Sequence, residues 1–132
     1  MKLKSVYIEK YKNLSPLTID FELGNGLTML VGNNGSGKSN VLEAISGIFH
    51  DLFKGKDSRK IKCDYKLQYT LNEINCVIEQ TNGFLRCYGP KFKRREYFIE
   101  ENAPHNIIGL YSGEEDRLWT SFYETYYKSY IK

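Results

Sequence analysis

The stretch that most constrains this chain is Leu30-Val31-Gly32-Asn33-Asn34-Gly35-Ser36-Gly37-Lys38-Ser39-Asn40. Three glycines, Gly32, Gly35 and Gly37, fall within six positions, and a lysine and a serine follow directly. Upstream, the apolar run Leu27-Thr28-Met29-Leu30-Val31 has the composition of a strand covered on both faces. Downstream, Val41, Leu42, Ile45, Ile48, Phe49, Leu52 and Phe53 recur at intervals of three and four, which predicts one buried face of a helix ending near Gly55. A glycine-rich loop therefore joins a strand to a helix.

Gly32 to Ser39 fits G-x-x-x-x-G-K-[ST], the Walker A pattern, in the strand-to-helix context that the motif requires. Glycines let the backbone curl until successive N–H groups point inward at phosphate oxygens. The N-terminus of the following helix adds about half a unit of positive charge at the same place. Residues Gly32, Asn33, Asn34, Gly35, Ser36, Gly37, Lys38, Ser39 and Asn40 are thus the candidate contacts to ATP. Lys38 is expected to reach the β- and γ-phosphates, and Ser39 to ligate Mg²⁺. The plainer alternative, a glycine-rich turn around a solvated lysine, is disfavoured by the complete match and its context.

Around this loop the pattern is mixed α/β. Val6 and Ile8, then Ile19, Phe21 and Leu23, alternate as in half-buried strands, and Asn25-Gly26 is expected to turn the chain. From Ile61 to Leu71 the alternation is strict, and INCVIEQ and FLRCYG follow with Asn82-Gly83 between them. This predicts a three-stranded antiparallel meander closed by Gly89-Pro90. Residues Tyr97 to Glu100 are read as an added edge strand, and Asn106 to Tyr111 as a second central strand. Trp119, Phe122, Tyr123, Tyr126, Tyr127 and Tyr130 recur at helical spacing.

At 132 residues the chain fits one domain, since domains of this size bury about two-thirds of their unfolded surface. With 19 basic against 16 acidic residues, affinity for nucleic acid would have to come from local patches. Cys63, Cys76 and Cys87 have neither disulfide-framework nor zinc-site spacing and read as buried thiols of a reduced compartment. No apolar run is long enough for a signal peptide or a membrane span, so a cytoplasmic location is expected.

The opening IEKYKNL, an antiparallel strand and then GLTMLVGNNGSGKSNVLEAI resemble the N-terminus of the ABC-type ATPases of the RecF, SMC and OLD group, closely over residues 1 to about 50. The resemblance implies a P-loop fold: an ABC-ATPase-like N-terminal lobe with an inserted antiparallel β-meander and a C-terminal helix. It divides a single domain, 1–132, into a Walker A core (1–56), a β-subdomain (57–101) and a second core strand with the start of a helical lobe (105–132). It places Lys12 and Asn13 near the phosphates; a polar turn at a strand end is the other reading. It also implies Mg²⁺-dependent ATP binding, a nucleotide-dependent homodimer and work on DNA in repair, chromosome organisation or defence. A stand-alone ATP sensor that switches a partner remains the alternative, with a P-loop kinase behind it.

Several family elements are missing from these residues. Family members place a glutamine where this chain has IIGLYSGEEDRL, and Ser112 with Glu115 reads there as a capping box rather than a Mg²⁺ or water contact. YSGEE is only a decoy of the signature loop, and YFIEEN only an imitation of the Walker B strand. The chain alone is therefore expected not to hydrolyse ATP, the rest being supplied by a C-terminal lobe or a second subunit. Two basic clusters, Lys54 to Lys62 and Lys91, Lys93, Arg94 and Arg95, read as solvated faces or, in the second case, as a loop that tracks a DNA backbone.

Overall fold

The computed structural model describes residues 1–21, 28–55, 59–90, 95–105, 107, 119, 120 and 124. The elements in chain order are β1 (Lys2–Ile8), β2 (Leu17–Asp20), α1 (Lys38–Lys54), β3 (Tyr65–Leu71), β4 (Ile74–Thr81), β5 (Phe84–Tyr88) and α2 (Arg95–Asn102). The strands form one antiparallel sheet in the order β2-β1-β3-β4-β5, so the meander continues the sheet that β1 and β2 begin.

Period-two patterning explains the sheet. A cross-strand row runs Ile19, Val6, Leu67, Ile78 and Cys87 through all five strands, and the last four of these are buried. The helix α1 covers this face with Val41, Ala44, Ile48, Phe49 and Leu52, and the Phe49 and Tyr69 rings meet at 5.8 Å between centroids. The helix stops as its spacing predicts, at Gly55, whose φ of 85° favours glycine and whose N–H donates to Asp51 O. Asn82-Gly83 makes the β4–β5 turn with both residues at positive φ, the geometry that matches strand twist.

Three expectations are corrected. Thr28 to Val31 is not a strand, and Met29 and Val31 are 76% and 84% exposed. A doubly covered strand needs neighbours on both sides, and the five described strands pair only with one another. Tyr97 to Glu100 lies inside α2 rather than in an edge strand, and its burial follows the helical interval: Phe98 and Asn102, one turn apart, are the residues it buries. Residues 61–64 precede β3 instead of opening it; side chains of α1 and β4, described below, take up the backbone groups that a strand ladder would have used. The expected Asn25-Gly26 turn, the Asn106–Tyr111 strand apart from Ile107 and most of the C-terminal aromatic stripe lie outside the described residues.

Candidate functional site

The glycine-rich loop runs into α1 as an exposed cradle. Residues 32 to 36 are all solvent-exposed, and Gly35 and Gly37 take positive φ of 84° and 99°. Gly37 forms the N-cap, and the helix has no acidic residue in its first turn. No side chain caps this terminus, and no carboxylate stands in its first turn to repel an anion. The Lys38 ammonium folds back over the loop, donating to Gly32 O at 2.5 Å and Asn33 O at 2.7 Å. Ser39 is exposed one residue on. These groups suit a phosphate chain with its cation: an exposed glycine-rich backbone, one ammonium held by loop carbonyls, one exposed hydroxyl and a helix N-terminus.

A tight turn between β1 and β2 braces the loop. Tyr11 and Leu14 exchange both backbone hydrogen bonds across Lys12 and Asn13. The Asn13 side chain donates to Gly35 O at 2.8 Å and accepts from Asn40 Nδ2 at 2.6 Å, tying the cradle to the first turn of α1. This approach requires glycine at 37, where a Cβ would lie 2.7 Å from Leu14 Cδ2 and 3.1 Å from Asn13 Oδ1.

The neighbouring Lys12 does not point at the loop. It pairs with Glu43 on α1, which is 4% exposed, and lies 5.6 Å from the centre of the Tyr11 ring. The Tyr11 hydroxyl donates to the same carboxylate at 3.2 Å. Burial, followed by the Glu43 charge, holds that hydroxyl well above its ordinary range and hence protonated. Glu43 escaped sequence reasoning. Its signal was an acid within the buried span of α1, between Val41 and Ala44.

Beside the turn opens a cleft of about 660 Å³. Tyr11, Lys12, Lys60, Lys62 and Cys63 are among the residues that line it. The backbone leading into Lys60 to Cys63 is held by buried Asp51, which accepts from Lys60 N at 2.7 Å and Ile61 N at 2.9 Å. Buried Gln80 adds bonds to Ile61 O and Cys63 O.

The basic loop after Gly89-Pro90 is described only at Arg95, whose guanidinium donates to Leu52 O at 2.8 Å and Phe53 O at 3.0 Å and so covers the C-terminal end of α1. Lys91, Lys93 and Arg94 lie outside the described residues, as do Ser112 to Glu115. Among the described residues no three His, Cys, Asp or Glu side chains cluster as metal ligands, and no helix is long and apolar enough to cross a membrane. The three cysteines are free. Burial pushes the Cys76 thiol up, and that of Cys87 up to about 11.

Comparison with known proteins gives one family match, the AAA ATPase domain, over residues 1–129. The chain is 38% identical over 73 residues to the DNA replication and repair protein RecF of Actinobacillus succinogenes, covering 54% of this chain and 20% of that protein. It is 38% identical over 79 residues to the DNA double-strand break repair Rad50 ATPase of Methanosarcina mazei, covering 50% of this chain and 7% of that protein. To the chromosome partition protein Smc of Desulfitobacterium hafniense it is 51% identical over 43 residues, covering 33% of this chain and 4% of that protein. The chain thus spans a fifth or less of the length of these three relatives.

Proposed function

The chain belongs to the AAA ATPase domain family and, within it, to the ABC-type RecF/SMC/OLD-like group; from that premise we propose that it binds ATP with Mg²⁺ as the N-terminal nucleotide-binding portion of an ATPase that acts on DNA. The observation that carries the reading is the exposed cradle of Gly32 to Ser36, followed by Lys38 at an α1 N-terminus with no acidic residue in its first turn.

In this reading the backbone N–H groups of the cradle hold the phosphates, and Lys38 exchanges the carbonyl oxygens of Gly32 and Asn33 for phosphate oxygens. Ser39 Oγ would be this chain's ligand to Mg²⁺, which would supply positive charge to the phosphates. Asn13 and Asn40 keep the cradle in register with α1, and Asn33, Asn34 and Ser36 line it. The nucleoside lies in the cleft beside Tyr11 and Lys12, whose volume falls within the roughly 300–1,000 Å³ of small-molecule sites.

Binding is the activity proposed for this chain by itself. Its residues contain neither an apolar strand ending Asp-Glu to support Mg²⁺ and polarise water nor an LSGGQ-type loop. A further lobe or a second subunit of a nucleotide-dependent dimer would supply both, and DNA would be the substrate of that assembly. The RecF and Rad50 relatives are DNA repair proteins by name and the Smc relative is a chromosome partition protein, which favours DNA over a small-molecule acceptor.

The test is a calorimetric titration of ATP with and without Mg²⁺ on the wild-type chain and on Ser39→Ala. Magnesium should tighten ATP binding in the wild type and lose that effect in Ser39→Ala, and a phosphate-release assay should show no multiple turnovers. Absence of ATP binding by the wild type, or turnover that depends on Lys38, would contradict the reading.

A further inference from the structure

Three buried polar side-chain atoms have no hydrogen-bond partner among the described residues: Tyr65 Oη, Gln80 Oε1 and Arg59 Nε. Tyr65 and Gln80 are cross-strand partners on β3 and β4, in the row Leu17, Ile8, Tyr65, Gln80 and Leu85, and are 1% and 2% exposed. Gln80 cannot relieve its oxygen by turning the amide over. Its nitrogen donates to Ile61 O at 3.0 Å and Cys63 O at 2.8 Å, and the opposite orientation would set an acceptor against two carbonyls. A tyrosine carries its oxygen further from the backbone than a glutamine does, and the two partners form no bond with each other.

Arg59 reaches the same region from the segment before β3. Its Nη1 donates to Gly83 O in the β4–β5 turn just beyond Gln80, while Nε stays unpaired. The guanidinium also acts on the Tyr65 hydroxyl: burial holds that group well above its ordinary range, the Asp51 charge adds to the shift and the Arg59 charge opposes it. The hydroxyl is therefore protonated at neutral pH and both donates and accepts.

Left bare, each of the three atoms would carry the full cost of its desolvation. Their chemistry is complementary: one donor, one acceptor and one group that is both. A cation is opposed by the nearby guanidinium, and among the described residues no three His, Cys, Asp or Glu side chains cluster to hold one. An anion is opposed by Gln80 Oε1, which only accepts, and by the Asp51 carboxylate. The ligand that fits is neutral, small, and able to donate and accept at once, and buried waters typically make about three such bonds.

We propose that Tyr65 Oη, Gln80 Oε1 and Arg59 Nε converge on one site that holds a buried structural water. The water accepts from Arg59 Nε, donates to Gln80 Oε1 and bonds the Tyr65 hydroxyl in either sense. It joins β3, β4 and the Arg59 segment in one polar layer, and the site is independent of any bound nucleotide.

Two measurements test the site. A high-resolution crystal structure of the wild-type chain should show one ordered water within hydrogen-bond distance of both Tyr65 Oη and Gln80 Oε1. In urea unfolding at neutral pH, Tyr65→Phe, which keeps the ring, should lower the folding equilibrium constant about three- to tenfold, because it takes a partner from the water. Removing a hydroxyl that has no partner at all would instead leave stability unchanged or raise it. That result overturns the proposal, as does a wild-type crystal structure in which the site is dry or the two side chains bond each other directly.

Discussion

The Lys12 ammonium lies 2.7 Å and 2.6 Å from the two carboxylate oxygens of Glu43, a two-point ion pair that joins the β1–β2 turn to α1. Glu43 is almost wholly buried, whereas the Lys12 side chain is 44% exposed. Removing Lys12 leaves a buried carboxylate supported, among the described residues, by the Tyr11 hydroxyl alone. Because one partner reaches water, the cost should fall below that of a fully buried pair: Lys12→Ala is expected to destabilise the nucleotide-free protein by about 1–3 kcal/mol. Urea unfolding without nucleotide measures it. A Lys12 that served only a bound phosphate would leave that stability unchanged.

Two loop glycines should respond differently to alanine. Gly35→Ala faces open space and pays only for its positive φ, about 1 kcal/mol. Gly37→Ala adds a Cβ 2.7 Å from Leu14 Cδ2 at an N-cap with φ of 99°. It should therefore cost more stability than Gly35→Ala and also displace Asn13 from Gly35 O. Thermal melts of the two variants side by side decide the order, and equal melting points would mean that the turn does not brace the loop.

Arg95 was grouped by charge with Lys91, Lys93 and Arg94, yet its donors cover the last turn of α1. Arg95→Ala should lower stability by about 1–3 kcal/mol through the lost charge-assisted bonds, without altering any DNA affinity. If the other three residues track a DNA backbone, neutralising them should flatten the slope of log K against log salt by up to about 3 units. Titrations of a mixed-sequence duplex at several salt concentrations separate these effects. A slope that changes with Arg95 alone would reverse the assignment.

The elements legible in the sequence are those whose signals are local. The helix α1 could be read from spacings of three and four ending at a glycine, and the β4–β5 hairpin from Asn82-Gly83. The β3–β4 turn, Asn72-Glu73, also takes positive φ at both residues but has no glycine to announce it. Thr28 to Val31 misled because an apolar run reports that a segment can be buried, not that neighbours exist to bury it. The strict alternation of residues 61–64 misled because Asp51 and Gln80, distant in sequence, satisfy that backbone instead of a neighbouring strand. In the site, the cradle residues follow from spacing alone. The Glu43 partner of Lys12 does not, since the two are 31 residues apart.

Alkaline pH should destabilise the fold. The Cys87 thiol ordinarily titrates at 9.0, and burial raises it to about 11 in the folded chain. Between these values the unfolded chain holds fewer protons than the folded one, so stability is complete below about pH 9 and declines as pH rises towards about 11. Burial of Tyr65 and Tyr69 shifts their hydroxyls in the same direction and steepens the loss. Urea midpoints should therefore fall between about pH 8.5 and about pH 10.5, and Cys87→Ala should fall less steeply. Midpoints that stay level across this range would mean that these groups are not held protonated by the fold.

The central claim is that the exposed cradle binds the triphosphate of ATP and that Lys38 turns from its own loop carbonyls onto it. Charge-assisted phosphate contacts contribute about 1.5–3 kcal/mol, so Lys38→Ala should weaken ATP binding about ten- to a hundredfold while α1 and the sheet keep their fold. Calorimetric titration of MgATP into wild type and Lys38→Ala tests this directly. A loss of that size in a folded variant is the result predicted; an affinity equal to that of the wild type would contradict the assignment of the loop.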